Sequence, residues 1–80
     1  MYQKYENGLL DGFLAGRAAA AERMSVEART ARERLAWLDS SLAFYGALTE
    51  YHTNGDSPKV SKLTDKGMKL SDKALRYRKA

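Results

Sequence analysis

An all-α protein of three helices is the fold class this sequence predicts, on three observations. Apolar side chains recur at alternating steps of three and four, the spacing of a helix face, with no sustained alternation by two. Strong turn chemistry is concentrated in one place, Asn54-Gly55-Asp56-Ser57-Pro58. The chain has 80 residues and no cysteine, so a single small domain (1–80) must be held by helix packing, without disulfide or thiolate–metal staples. The expected arrangement is a long central helix, an N-terminal helix folded back on it as a hairpin, and a basic C-terminal helix. The helices should span about residues 5–24, 26–52 and 58–78.

In the first helix Gly8, Gly12, Gly16 and Ala20 fall four apart, with Leu9, Leu10, Phe13 and Leu14 between them. Side chains four apart share a face, so the small residues form one ridge. Each helical glycine costs about 1 kcal/mol relative to alanine, and close approach of a second helix along this ridge would supply a packing reason for them. Asp11 and Arg17 interrupt the segment, so the membrane use of small residues at this spacing does not apply.

The junction with the second helix is expected at Ser25, as an N-cap with Glu27 in the first turn. An unbroken rod is the alternative, since neither glycine nor proline occurs between Gly16 and Gly46. A hairpin is preferred because folding back buries both apolar faces. Within the second helix Ala28, Ala31, Leu35, Leu38, Leu42, Tyr45, Thr49 and His52 repeat at steps of three and four. They read as the seam that packs lengthwise on other helices. Trp37, Phe44, Leu48 and Tyr51 form a second row beside it. Two rows are more apolar width than so short a chain can bury alone, which points to a homodimer. Trp37, Phe44, Tyr45 and Tyr51 read first as core, and any of them that core packing leaves exposed are the candidate protein-interface residues, aromatic types that anchor interfaces.

The second helix should stop at Gly55, and the third should start with Ser57 as N-cap and Pro58 at the first helical position. Val60, Leu63, Gly67, Leu70, Ala74 and Tyr77 mark its apolar face. Lys59, Lys62, Lys66, Lys69, Lys73 and Arg76 keep the same steps one residue earlier, so a basic stripe runs beside the apolar one. Asn54-Gly55 is also a hairpin signal, and Leu63-Thr64-Asp65-Lys66-Gly67 resembles the strand-to-helix junction after the wing of winged-helix repressors. Pro58 argues against that second strand.

Net charge is +4, unevenly placed. Residues 1–56 carry six basic against eight acidic side chains, a net −2, and residues 57–80 carry eight against two, a net +6. The basic end suits nucleic acid, an acidic protein surface or a membrane headgroup, and the asymmetry does not choose among them. Together with Arg29, Arg32 and Arg34 it outlines a nucleic-acid surface. The opposing reading is a solvated face, with Asp65–Lys69, Asp72–Arg76 and Arg29–Glu33 as pairs four residues apart.

Candidate chemistry is sparse. His52 is the only histidine, and with Asp56 and Ser57 nearby a triad can be imagined, but nothing frames a nucleophile. A histidine at a helix C-terminus complementing the dipole is the simpler reading. The carboxylates are scattered among basic residues, and no phosphate loop, dinucleotide fingerprint or metal-ligand spacing occurs. No catalytic, cofactor or metal residues are expected. The start of the chain has no signal-peptide pattern, and no apolar run reaches the ~20 residues of a membrane span, so a cytoplasmic protein is expected without membrane contact.

Tyr5-Glu6-Asn7-Gly8, Asp11-Gly12-Phe13 and Ala15-Gly16-Arg17-Ala18-Ala19 resemble a pattern in small bacteriophage accessory proteins. There an aromatic residue and glycines four apart lead into an alanine-rich helix. The resemblance covers about a quarter of the chain and carries over no functional residue. It implies a mobile-element origin and a short non-enzymatic protein that binds and inhibits a host system, such as a CRISPR interference complex. The expected function is therefore steric or allosteric blocking of a host protein complex, with nucleic-acid binding by the C-terminal helix as the alternative.

Overall fold

A computed structural model describes the backbone of residues 2–79 and the side chains of residues 8–79. Tyr5, Glu6 and Asn7 of the phage-type pattern have side chains outside that range. The chain folds into three helices, α1 (Tyr2–Glu27), α2 (Ala31–Asn54) and α3 (Pro58–Lys79), side by side in a body 45 × 19 × 16 Å. Helix α2 lies in the middle, with α1 and α3 packed on it as two hairpins.

The first hairpin turns later than Ser25. Thr30 is the N-cap of α2, with extended backbone (φ −125°, ψ 157°), and its hydroxyl oxygen accepts the Glu33 N–H at 3.2 Å. Thr30-Ala31-Arg32-Glu33 has the Ser/Thr-x-x-Glu spacing of a capping box, which overrides the weaker signal at Ser25. Ser25 is instead buried in the last turn of α1, where its hydroxyl donates to the Glu22 carbonyl at 2.6 Å. The second turn follows the expected chemistry at Gly55 and Pro58 but not at Ser57, whose hydroxyl donates to the Glu50 carboxylate at 3.0 Å instead of capping α3. Gly55 takes the left-handed region (φ 74°), its N–H reaches the Tyr51 carbonyl at 2.9 Å, and Pro58 opens α3. The winged-helix alternative is corrected, because Leu63–Gly67 lies within α3 and no strand occurs among the described residues.

Two further expectations are overturned by burial. The small ridge of α1 does not meet α2: a Cβ added at Gly8, Gly12 or Gly16 would meet nothing within 4 Å. Helix α1 packs instead through Leu14, Ala18, Ala21 and Ser25, and Ser41 donates to the Ala18 carbonyl at 3.0 Å. A row of bare glycines has no apolar surface to bury, whereas Leu14 with two alanines does. The expected seam of α2 is likewise turned outward. Leu35, Leu38, Leu42 and Tyr45 are exposed, while Trp37, Phe44, Ala47 and Tyr51 face the other helices. The aromatic row wins because each ring buries roughly 150–250 Å² of surface, more than a leucine does.

The core has two connected parts. Phe44 with Leu14, Ala18, Ala47, Tyr51 and Val60 fills one end, and Trp37 with Ala21, Ala28, Ala36 and Ala74 fills the other. Between them α3 is tied directly to α2. The Ser40 hydroxyl donates to the Gly67 carbonyl at 2.7 Å and lies 2.7 Å from the Ser71 hydroxyl. The close-approach glycine of this protein is Gly67, where an added Cβ would sit 2.8–2.9 Å from three atoms of the Phe44 ring. Buried Glu33 accepts the Trp37 indole N–H at 3.1 Å and faces the Arg78 guanidinium at 3.8 Å, so its carboxylate is satisfied.

Candidate functional site: two interaction surfaces

Three of the four aromatic interface candidates are core residues. Trp37 is 5% exposed, Phe44 fully buried and Tyr51 9% exposed, so they reach no partner without unfolding. Tyr45 alone lies on the surface. It belongs to the outward row Ala31, Leu35, Leu38, Leu42, Tyr45 and Thr49. At ~100° per residue this row lies opposite the Ser40–Phe44–Ala47 line that faces the core. Leu35 is 59% and Leu42 68% exposed. Helix α2 is therefore apolar on two opposite faces, only one of which this chain covers. Val26, also exposed, stands one turn beyond Glu22 on α1, and the Tyr45 hydroxyl donates to the Glu22 carboxylate at 3.1 Å. That bond, which favours the protonated phenol, pushes the Tyr45 hydroxyl above its ordinary value of 10.0, with smaller contributions from desolvation and the Glu22 charge.

The second surface is the basic face of α3. Lys59, Lys62, Lys66, Lys69, Lys73 and Arg76 are all exposed on one side, and the five from Lys62 to Arg76 line an open trough with Asp65 and Leu70. The expected pairs Asp65–Lys69, Asp72–Arg76 and Arg29–Glu33 are not made. Among the described residues Arg78 pairs with Glu27 and Glu33, both at 3.8 Å, and His52 hydrogen-bonds Asp11 at 2.8 Å. Arg32 stacks over Tyr77 with its guanidinium carbon 4.5 Å from the ring centroid, and the Lys73 ammonium lies 5.8 Å from it. Arg29, Arg32 and Arg34 do not form one cluster: Arg32 turns to α3, and Arg34 caps the Ala28 carbonyl at 3.4 Å.

His52 pairs with Asp11 across the first hairpin rather than with Asp56 or Ser57. Ser57 donates to Glu50 at 3.0 Å, as does the Asn54 amide at 2.9 Å. These residues form no triad. Among the described residues no group of three or more acidic or histidine side chains is placed to hold a metal ion, and no helix is long and apolar enough to cross a membrane.

Sequence reasoning missed the Thr30 cap and the Glu33–Trp37–Arg78 cluster. The capping-box spacing signals the first. For the second, Glu33 and Trp37 stand four apart, the reach of a helical side-chain pair. Comparison with protein-family models, curated proteins and solved structures returned no match.

Proposed function

We propose that this chain is a non-enzymatic binding protein that associates through the outer face of α2 and engages acidic surface with the basic face of α3. One observation carries the reading: Leu35, Leu38, Leu42 and Tyr45 form an exposed apolar row directly opposite the buried row of the same helix. Apolar surface in a continuous stripe is the mark of a protein contact, whereas isolated exposed leucines need no explanation. In the phage-type reading the target is a host protein complex, such as a CRISPR interference complex, and the action is to occupy its surface. The experiment is affinity capture from the native host with the wild-type chain and with Leu42→Glu. Loss of the captured proteins in the variant, with its helical circular dichroism unchanged, is the expected result. Equal capture by both chains refutes the assignment of the α2 face.

Nucleic-acid binding by α3 is the second reading, favoured by six basic side chains on one exposed face without the expected intrahelical carboxylate partners. It requires retardation of duplex DNA or RNA that weakens steeply with salt, at a slope of about 0.9 per phosphate contact on B-DNA. Unaltered migration at low salt rejects it.

A further inference from the structure

We infer that the occupant of the α2 outer face is a second copy of this chain, packed antiparallel about a twofold axis that crosses the row midway between Leu38 and Leu42; the inference rests on the reading of that face as a protein contact. The row is self-complementary in that register. Leu38 faces Leu42 of the second copy, Leu35 faces its Tyr45, and Ala31 faces its Thr49, each layer occurring twice. In that antiparallel packing the central Leu38–Leu42 and Leu35–Tyr45 layers hold comparable volume, and the small Ala31–Thr49 layers fall symmetrically at the two ends. A parallel, in-register pairing would set Tyr45 on Tyr45 and Ala31 on Ala31, crowded at one end and hollow at the other.

On the α1 side of the row one charge pair agrees with the antiparallel choice. Arg34 lies on the α1 side of the row, seven residues before Ser41, which bonds α1 directly. Glu22 lies on the same side, held next to Tyr45 by its hydroxyl. With Leu35 facing Tyr45 of the second copy, Arg34 comes beside the Glu22 of that copy, and the twofold repeats the pair. The same symmetry leaves both α3 helices on the opposite side of the seam. The dimer thus presents its two basic faces together, which a single chain does not do.

The area required is modest. A specific interface at the small end of the range takes about 600 Å² from each partner. That is about a tenth of the 5565 Å² surface of this chain. The row from Ala31 to Thr49 is ~27 Å long at ~1.5 Å per residue, and Val26 and Glu22 on α1 widen it. Interfaces at that small end are weak or transient, so a dissociation constant on the order of 1–50 μM is the expected range.

The test is sedimentation equilibrium, with a crosslinking experiment that reads the register. The wild-type chain should show a monomer–dimer equilibrium in that range, and Leu42→Glu should weaken it at least about tenfold while keeping its helical circular dichroism. Since the chain has no cysteine, Leu38→Cys and Leu42→Cys chains can be mixed and oxidised with glutathione disulfide. The mixed 38–42 disulfide should dominate over the two like-with-like products. A chain that stays monomeric at about 500 μM (about tenfold above the weaker limit), or a preference for 38–38 and 42–42 links, overturns the inference. If the chain is monomeric but Leu42→Glu still loses its captured host protein, the binding face stands and only the second copy falls.

Discussion

Replacing Gly67 and Gly16 separately with alanine gives opposite changes in stability, although the two substitutions are chemically identical. Both glycines sit inside helices, where alanine is favoured by about 1 kcal/mol. At Gly16 nothing lies within 4 Å of the new methyl group, so that gain is kept and the variant is more stable by about 1 kcal/mol. At Gly67 the methyl group would lie 2.8–2.9 Å from Cε2, Cδ2 and Cζ of Phe44, a ring buried on every side. Forcing one methyl into a filled core costs about 1–3 kcal/mol, which outweighs the helix gain and leaves a net loss of about 1 kcal/mol. For a domain of this size 1 kcal/mol moves the melting temperature by about 4–8 °C, so the two variants should part by roughly 8–16 °C. The assay is thermal unfolding followed by helical circular dichroism, with all chains at one concentration because self-association raises apparent stability. Adding Phe44→Leu to Gly67→Ala should recover part of the loss, since neighbouring changes couple when they share a contact. A Gly67→Ala chain as stabilised as Gly16→Ala would refute the close approach of α3 to α2.

Three further outcomes follow from the same geometry. Glu33→Ala leaves the buried Trp37 indole N–H without its acceptor and should cost about 1–3 kcal/mol in urea denaturation, whereas a loss below half a kcal/mol would deny the bond. Thr30→Ala removes the cap of α2 and should cost about 1 kcal/mol, while Ser57→Ala should cost less because the Ser57 hydroxyl serves Glu50 instead of the helix end. The Asn54 amide, then the Ser57 hydroxyl, with help from the Lys59 charge and against some desolvation, hold the Glu50 carboxyl below its ordinary 4.5. A depressed acid contributes stability that is complete above pH 4.5 and is lost as pH falls through the lower folded value. Glu50→Gln should therefore flatten the stability curve below pH 4.5, and an unchanged acid slope would contradict the assignment.

The fold class and the second turn were legible because their signals are local. A 3–4 repeat specifies a helix wherever it occurs, and Gly55 and Pro58 mark a stop and a start through their own backbone preferences. The facing of α2 was not legible, because both of its rows have helical spacing and periodicity does not say which one meets the neighbours. That choice was made between chains of contacts: Trp37 with Ala21 and Ala74, and Phe44 with Leu14 and Val60, against a leucine row that belongs to neither buried cluster. The glycines misled for a related reason. Gly8, Gly12 and Gly16 form the regular pattern and meet nothing, while Gly67, read only as one step of an apolar stripe, is the position a ring presses against. The basic face of α3 was fully legible, since six exposed side chains at fixed spacing need no tertiary information. The first turn was legible in principle, through Thr30 and Glu33, but the nearer signal at Ser25 obscured it.

The orientation of α2 about its own axis decides both surfaces, and Trp37, the single tryptophan, reports it directly. Quenching of its fluorescence by acrylamide is the measurement. The indole, 5% exposed and bonded to Glu33, should emit at short wavelength and resist the quencher until the chain unfolds. Red-shifted emission quenched as readily as free tryptophan in the native state would mean that the leucine row faces inward, and the proposed contact surface would not exist.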